Sequence, residues 1–193
     1  MDCVVKSNTF GVPIIGITGY AQSGKSTLGE LIVHHNGAHH ANFADLMRDF
    51  LYAINPLVTP KSRVQDLVDH LGWERAKVGY PEVRQLMQRL GTDAGRKLFG
   101  ETFWVDQFFA NVGKTDLLVI SDVRFPNEAQ AIKDRGGIIV RIVRDGYEPV
   151  NAHVSETSYN DQDFTIYNDA KPDDLYVFFR NAFATYLTNT TKP

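Results

Sequence analysis

Residues 14–27 read Ile14-Ile15-Gly16-Ile17-Thr18-Gly19-Tyr20-Ala21-Gln22-Ser23-Gly24-Lys25-Ser26-Thr27. An apolar run, 14–18, leads into a stretch from Gly19 to Ser26 that fits G-x-x-x-x-G-K-[ST], and a helix-type run, 26–35, follows. Strand, glycine-rich turn and helix in that order are what phosphate binding by backbone requires. The glycines let the chain wrap closely around a phosphate, and successive N–H groups point inward at it. The helix beginning near Lys25 adds the positive end of its dipole. In this pattern Lys25 reaches the β- and γ-phosphates of a nucleotide, and the Ser26 hydroxyl holds Mg2+. The predicted nucleotide contacts are Gly19, Ala21, Gln22, Ser23, Gly24, Lys25, Ser26 and Thr27. The alternative is a strand–helix turn without a ligand.

Composition sets the class around this loop. A chain of 193 residues with 43% apolar side chains fits one domain, its core spanning about 12–190. The net charge of −3 offers no broad basic surface, so nucleic acid is not an expected partner. Cys3 stands alone, which rules out an intrachain disulfide framework and suits a reducing cytoplasm. No apolar run approaches the length of a membrane span, and the first residues lack the order of a signal peptide. A cytoplasmic protein is expected.

Apolar runs alternate with amphipathic ones along the rest of the chain. Strands are expected at 14–18, 38–43, 117–121, 138–143 and 164–167, and helices at 26–35, 44–54, 82–99, 102–112, 127–135 and 173–187. Asn36-Gly37 and Gly136-Gly137 read as helix ends. Residues 57–82 are irregular, with 61–70 as a candidate helix. Strands alternating with helices mean βαβ units, hence an α/β fold with a parallel sheet covered on both faces. The acceptor side is assigned to an insertion over about 55–100, and a lid-like loop to 144–163.

Ligands of such sheets bind at the carboxyl ends of the strands. That rule collects Asp45, Asp122, Arg124, Arg144 and Asn168 beside the phosphate loop. Asp122 follows a buried apolar strand, where phosphate-loop proteins place an acid that organises Mg2+, so Ser26 and Asp122 are the predicted metal ligands. Val123, not a glutamate, comes next, which disfavours a hydrolytic motor. Arg124 suits bidentate contact with a second phosphorylated molecule. The alternative, less favoured, is that Asp122 and Arg124 are a structural pair capping the helix near Asn127. Asp45 is either a cap-region acid or a substrate contact, with Arg48 one turn later on the same face. On helix 82–99, Gln88 and Thr92 lie four apart, and Arg89 and Arg96 seven apart. That face either reads a base and holds a phosphate or is merely solvated. Arg144 is preferred to Arg141 as the cation on the transferring phosphoryl group. His34 and His35 diverge on a helix, His39 and His40 alternate on a strand, and none fits a metal-binding motif. Trp73, Trp104, Phe108 and Phe109 read as core.

Several of these stretches together resemble bacteriophage deoxynucleoside monophosphate kinases. They are Phe43-Ala44-Asp45, Leu90-Gly91-Thr92-Asp93-Ala94-Gly95-Arg96, Phe103-Trp104-Val105, Ile120-Ser121-Asp122-Val123-Arg124-Phe125-Pro126-Asn127-Glu128 and His153-Val154-Ser155-Glu156. The resemblance implies a P-loop NTPase fold of three α/β/α layers with a five-stranded parallel sheet, like nucleoside monophosphate kinases. It implies Mg-ATP as donor and a deoxynucleoside monophosphate as acceptor. It implies Lys25 as catalytic stabiliser, Ser26 as metal ligand, and Asp45, Arg89, Asp122 and Arg124 facing the acceptor. Taken with the residue-level reading above, the predicted catalytic residues are Lys25, Asp122, Arg124 and Arg144, and the predicted acceptor contacts are Asp45, Arg48, Gln88, Arg89, Thr92, Asp122 and Arg124. Ile166-Tyr167-Asn168-Asp169 looks like the adenine-side loop of related kinases, which adds Asn168 to the ATP contacts. Related kinases are often dimers. Residues 57–82 match nothing in the resemblance. Three other readings stay open: a dephospho-coenzyme A or other small-molecule kinase, a non-catalytic nucleotide-binding regulatory module, and a nucleic-acid-stimulated ATPase.

Overall fold

In the computed structural model, which describes residues 10–146, 161–169 and 172–190, the run Ile14–Thr18 forms strand β1 and is buried along its whole length. The chain passes through the phosphate loop into α1 (Lys25–Asn36) and β2 (His39–Ala41). It continues through α2 (Asp45–Ile54), the short strands β3 (Leu57–Thr59) and β4 (Ser62–Arg63), and α3 (Val64–Gly79). Next come α4 (Pro81–Gln88), a π-helical segment (Arg89–Arg96), α5 (Lys97–Phe99) and α6 (Phe103–Asn111). It ends with β5 (Leu118–Ile120), α7 (Pro126–Lys133), β6 (Ile138–Val143), β7 (Phe164–Tyr167) and α8 (Pro172–Thr190). These elements divide into two compact units, one of Met1–Asn42 with Gly113–Pro193 and one of Phe43–Val112.

The first unit holds the expected five-stranded sheet, in the order β2-β5-β1-β6-β7 with every pair parallel. Alternation along β1 separates its faces. Ile15 and Ile17 share a core with Val119, Val140, Ile142 and Ile166, Leu28 and Ile32 of α1, and Leu175, Phe179 and Phe183 of α8. Gly16 faces the other way, where a methyl group would lie 2.7 Å from Ile139 Cδ1 and 2.8 Å from Ile132 Cδ1 of α7. Helices therefore cover both faces, giving three layers. Double coverage is why β5 reads as an unbroken apolar run and why β6 is apolar apart from Arg141.

The predicted helix ends hold. Gly37 takes a left-handed conformation and its N–H bonds the Val33 carbonyl at 2.9 Å. Gly136 and Gly137 close α7 by donating to the Lys133 and Ile132 carbonyls. Differences concentrate in the second unit. The candidate helix 61–70 is a hairpin strand followed by α3, which continues to Gly79 across a kink at Gly72 (φ 75°). The single helix expected over 82–99 is interrupted by the wide π turns. Of the expected lid loop, residues 147–160 lie outside the described residues, as does the His153-Val154-Ser155-Glu156 stretch. Among the described residues, no helix is long and apolar enough to cross a membrane.

The start of β7 is pinned by one carboxylate. Asp163 Oδ2 accepts the Ile139 N–H at 2.7 Å, and the Asp163 N–H donates back to the Ile139 carbonyl at 2.8 Å. Tyr186 of α8 donates its hydroxyl to Asp163 Oδ1 at 3.4 Å. Burial first, and then the Asp163 charge, push the Tyr186 phenol above its ordinary value, with Lys133 opposing. The fold thus favours the neutral phenol, and the stability this contributes is present below about pH 10 and lost as the pH rises through the folded-state value. The drop in melting temperature between pH 9 and 11 should be smaller for Tyr186→Phe than for the wild type; equal drops would remove this linkage.

Candidate active site

The phosphate loop joins the buried β1 to α1. Gly24, the residue before the helix, has φ 107°, a conformation that side chains with a Cβ rarely adopt. A methyl group there would also lie 2.5 Å from Asn168 Nδ2. Gln22 takes a positive φ of 62° without being glycine, a local strain of the kind that gathers at ligand-binding turns. The Lys25 ammonium folds back onto the loop, donating to the Gly19 carbonyl at 2.9 Å and the Tyr20 carbonyl at 2.6 Å. The hydroxyls of Ser23 and Thr18 are buried and make no hydrogen bond among the described residues. Ser26 and Thr27, at the first turn of α1, are exposed.

Three side chains from β6, β7 and the residues just past them reach this loop. Asn168, just past β7, donates from Nδ2 to the Ser23 carbonyl at 2.8 Å. Arg144, just past β6, donates weakly to the Gln22 carbonyl at 3.4 Å. The Arg141 guanidinium lies 5.6 Å from the centre of the Tyr20 ring, a cation–π distance. Both arginines weighed from the sequence therefore touch the loop. Asn168 grips the loop's backbone, a contact that its expected place on the adenine side did not include.

Asp122, half-buried, and Arg124, exposed, follow β5. The amides that precede α7 are taken by a residue the sequence reading passed over. Glu128, 4% exposed, accepts the N–H of Arg124 at 2.8 Å and of Phe125 at 3.0 Å through the same oxygen. Pro126 at the first helical position and a glutamate two residues later were the available signal. Behind Asp122, the buried Ser121 hydroxyl donates to Asn42 Oδ1 at 2.9 Å and lies 2.8 Å from His40 Nε2. His40 thus has a structural partner. His34 and His35 do not diverge as expected: their rings stand edge to face at 5.0 Å, and His35 stacks on Tyr176 at 4.1 Å.

The remaining candidates belong to the second unit. Arg48 bonds Asp45 Oδ1 at 3.0 Å and Glu74 Oε1 at 3.2 Å, and Lys77 meets the same Glu74 oxygen at 2.7 Å. Glu74 lies in the stretch that resembled nothing, so its part in this cluster was not foreseen. The Arg48 Nε–H is buried and makes no hydrogen bond among the described residues. Gln88 ends α4, and Arg89 and Thr92 lie on the π segment. The wide turn corrects the pairing of Arg89 with Arg96: at about 4.4 residues per turn, positions seven apart fall on opposite sides. Arg89 is exposed, whereas Arg96 donates to the Glu101 carbonyl at 3.0 Å.

A phosphate-binding loop held by arginines and an amide, with an acid and a hydroxyl at neighbouring strand ends, can hold a nucleotide triphosphate and an oxygen-liganded cation. Residues 74–178 match the profile of the family described as deoxynucleotide monophosphate kinase. A deoxynucleotide monophosphate kinase of Escherichia phage RB69 is 33% identical over 101 residues, which are 49% of this chain and 41% of that protein. Its counterpart in Enterobacteria phage T4 is 29% identical over 106 residues, 51% of this chain and 44% of that protein. The matched segment thus spans less than half the length of these relatives. Among solved structures, shikimate kinase from Aquifex aeolicus superposes with a TM-score of 0.44 at 12% identity, covering 93% of this chain and 99% of that one. The chain belongs to the deoxynucleotide monophosphate kinase family.

Asn168→Asp retains the shape of the side chain but turns a carboxylate oxygen toward the Ser23 carbonyl. ATP affinity, read by calorimetry, should fall roughly tenfold, because a donated hydrogen bond becomes a repulsion between two acceptors. Unchanged affinity would show that the tether does not shape the loop.

Proposed function

We propose that this chain transfers the γ-phosphoryl group of ATP to a deoxynucleoside monophosphate, giving ADP and a deoxynucleoside diphosphate for DNA synthesis. The geometry of the phosphate loop carries this reading. It lies at residues 19–26, outside the 74–178 match, so it supports the family assignment independently.

The chemistry needs little from the protein by way of acid or base. An oxygen of the acceptor's phosphate is already anionic near neutral pH and attacks the γ-phosphorus, while the bond to the bridging oxygen of ADP breaks. Catalysis then rests on in-line placement and on neutralising charge. In this reading Lys25 exchanges its two loop carbonyls for phosphate oxygens. Arg144 and Arg124 contribute further positive charge, and Asn168 keeps the loop in shape. The Ser26 hydroxyl and the Asp122 carboxylate are hard oxygen donors of the kind Mg2+ takes, alongside nucleotide phosphates. A bound Mg2+ supplies charge neutralisation on those phosphates. Asp45, Arg48, Gln88, Arg89 and Thr92 bind the acceptor, and the buried unpaired N–H of Arg48 suits a phosphate oxygen. The substrates are small nucleotides, and the reaction suits a host-cell cytoplasm.

The test is ADP formation from Mg-ATP across the four deoxynucleoside monophosphates, their ribose counterparts and dephospho-coenzyme A. At least one deoxynucleotide should turn over. Lys25→Ala should lower that rate by about three orders of magnitude or more at unchanged melting temperature, since it removes charge aimed at the transferring group. Near-wild-type turnover in Lys25→Ala would sink its role. Activity confined to dephospho-coenzyme A would move the reading to that acceptor, and nucleotide binding without any turnover would move it to a regulatory module.

A further inference from the structure

The π segment is an unusual object to find in a helix, and the structure shows what holds it. A ladder of i→i+5 bonds is rare because its hydrogen-bond geometry and packing are poorer than those of an α-helix. Here the Lys97 N–H is shared between the Ala94 carbonyl and the Thr92 carbonyl, the latter five residues earlier. Trp104 of α6, 7% exposed, donates its indole N–H to the Gly91 carbonyl at 3.0 Å. Its ring lies against Gly95 so closely that a Cβ there would sit on the indole nitrogen and 2.5 Å from Cε2. Gly91 in turn leaves room for Met47, whose sulfur would be 2.9 Å from an added methyl. A buried indole needs an acceptor, and the glycine notch lets it reach one on the helix backbone itself.

The register has a chemical consequence. At about 4.4 residues per turn, positions four apart remain neighbours and positions seven apart separate. Gln88 and Thr92 therefore stay side by side, an amide and a hydroxyl able to read a base edge. Arg96 is carried away from Arg89 and bonds the Glu101 carbonyl. An unbroken α-helix over the same residues would instead align the two arginines.

We propose that Trp104 is a positioning residue for acceptor recognition: its indole bond to Gly91 holds the wide turn that separates Arg89 from Arg96 while leaving Gln88 beside Thr92. This rests on the kinase reading above, and the experiment separates the two. In the full chain, Trp104→Phe keeps an aromatic ring and deletes the donor. The KM for the deoxynucleotide should rise roughly fivefold to tenfold while the KM for ATP stays within twofold, the size expected for one lost hydrogen bond. Amide hydrogen exchange over residues 92–97 should accelerate by a similar factor. Gly95→Ala, which drives the indole off the backbone, should reproduce both effects. Val83→Ala, a cavity at a buried site in α4, is the control: it should lower the melting temperature without separating the two KM values. Equal changes in both KM values for Trp104→Phe and Gly95→Ala, or unchanged exchange over 92–97, would overturn the proposal. If the wild-type chain phosphorylates no deoxynucleotide, the kinase reading fails by itself. Faster exchange in Trp104→Phe would then still support the hold on the turn, and unchanged exchange would refute it.

Discussion

Burial of the central strands on both faces is the constraint on which the first unit depends. A strand so enclosed has little room for a polar side chain along its length, so most polar groups are displaced toward its ends, with Arg141 of β6 the half-buried exception that reaches the Tyr20 ring. Thr18, Ser121 and Arg144 all mark points where an apolar run stops. Because the pairs are parallel, those ends fall on one edge of the sheet. The core thereby gathers chemistry without any residue being selected for its neighbours in sequence. The same burial stiffens the platform. The loop after β1 leaves a strand whose every residue is covered, and side chains following β6 and β7 meet it from strands of the same sheet.

What could be read in advance follows from how locally each feature is encoded. Strands β1, β6 and β7 and the turns at Gly37 and Gly136 are written in short runs of residue type, and they fall where those runs predict. The phosphate loop is more local still, since its glycines, lysine and serine are contiguous. The cap by Glu128 was legible in principle, from a proline and a glutamate at the right offsets, but that signal also fits an Asp122–Arg124 pair serving the same helix start. The partnership of His40 with Ser121 spans 81 positions, and no periodicity announces it. Glu74 is similar: 26 residues from Arg48, in a stretch with no recognisable pattern, it joins the cluster only because α2 and α3 fold together.

The π segment failed to show in the sequence for a different reason. Its apolar spacing fits an ordinary helix, and local propensity has no term for a tryptophan thirteen residues away that competes for a backbone carbonyl. Gly91 and Gly95 weaken the α ladder, but weakness alone does not select the wider one. The two units thus differ in how they place their polar groups. One uses the edge of a rigid sheet, and the other uses the winding of a helix, which can change through a few hydrogen bonds.

The posture of Lys25 shapes what any anion would meet at the loop. Its ammonium is chelated by the Gly19 and Tyr20 carbonyls, so two of its three protons are already withdrawn from water. Much of the dehydration that normally taxes a lysine–phosphate contact has therefore occurred during folding. Capture becomes a substitution at nitrogen, in which charged oxygens replace neutral dipoles, and the two released carbonyls must be solvated anew. Selectivity follows from that exchange. A weakly charged or poorly aligned anion gains little over the carbonyls it displaces, whereas a polyphosphate gains enough to pull the cation across.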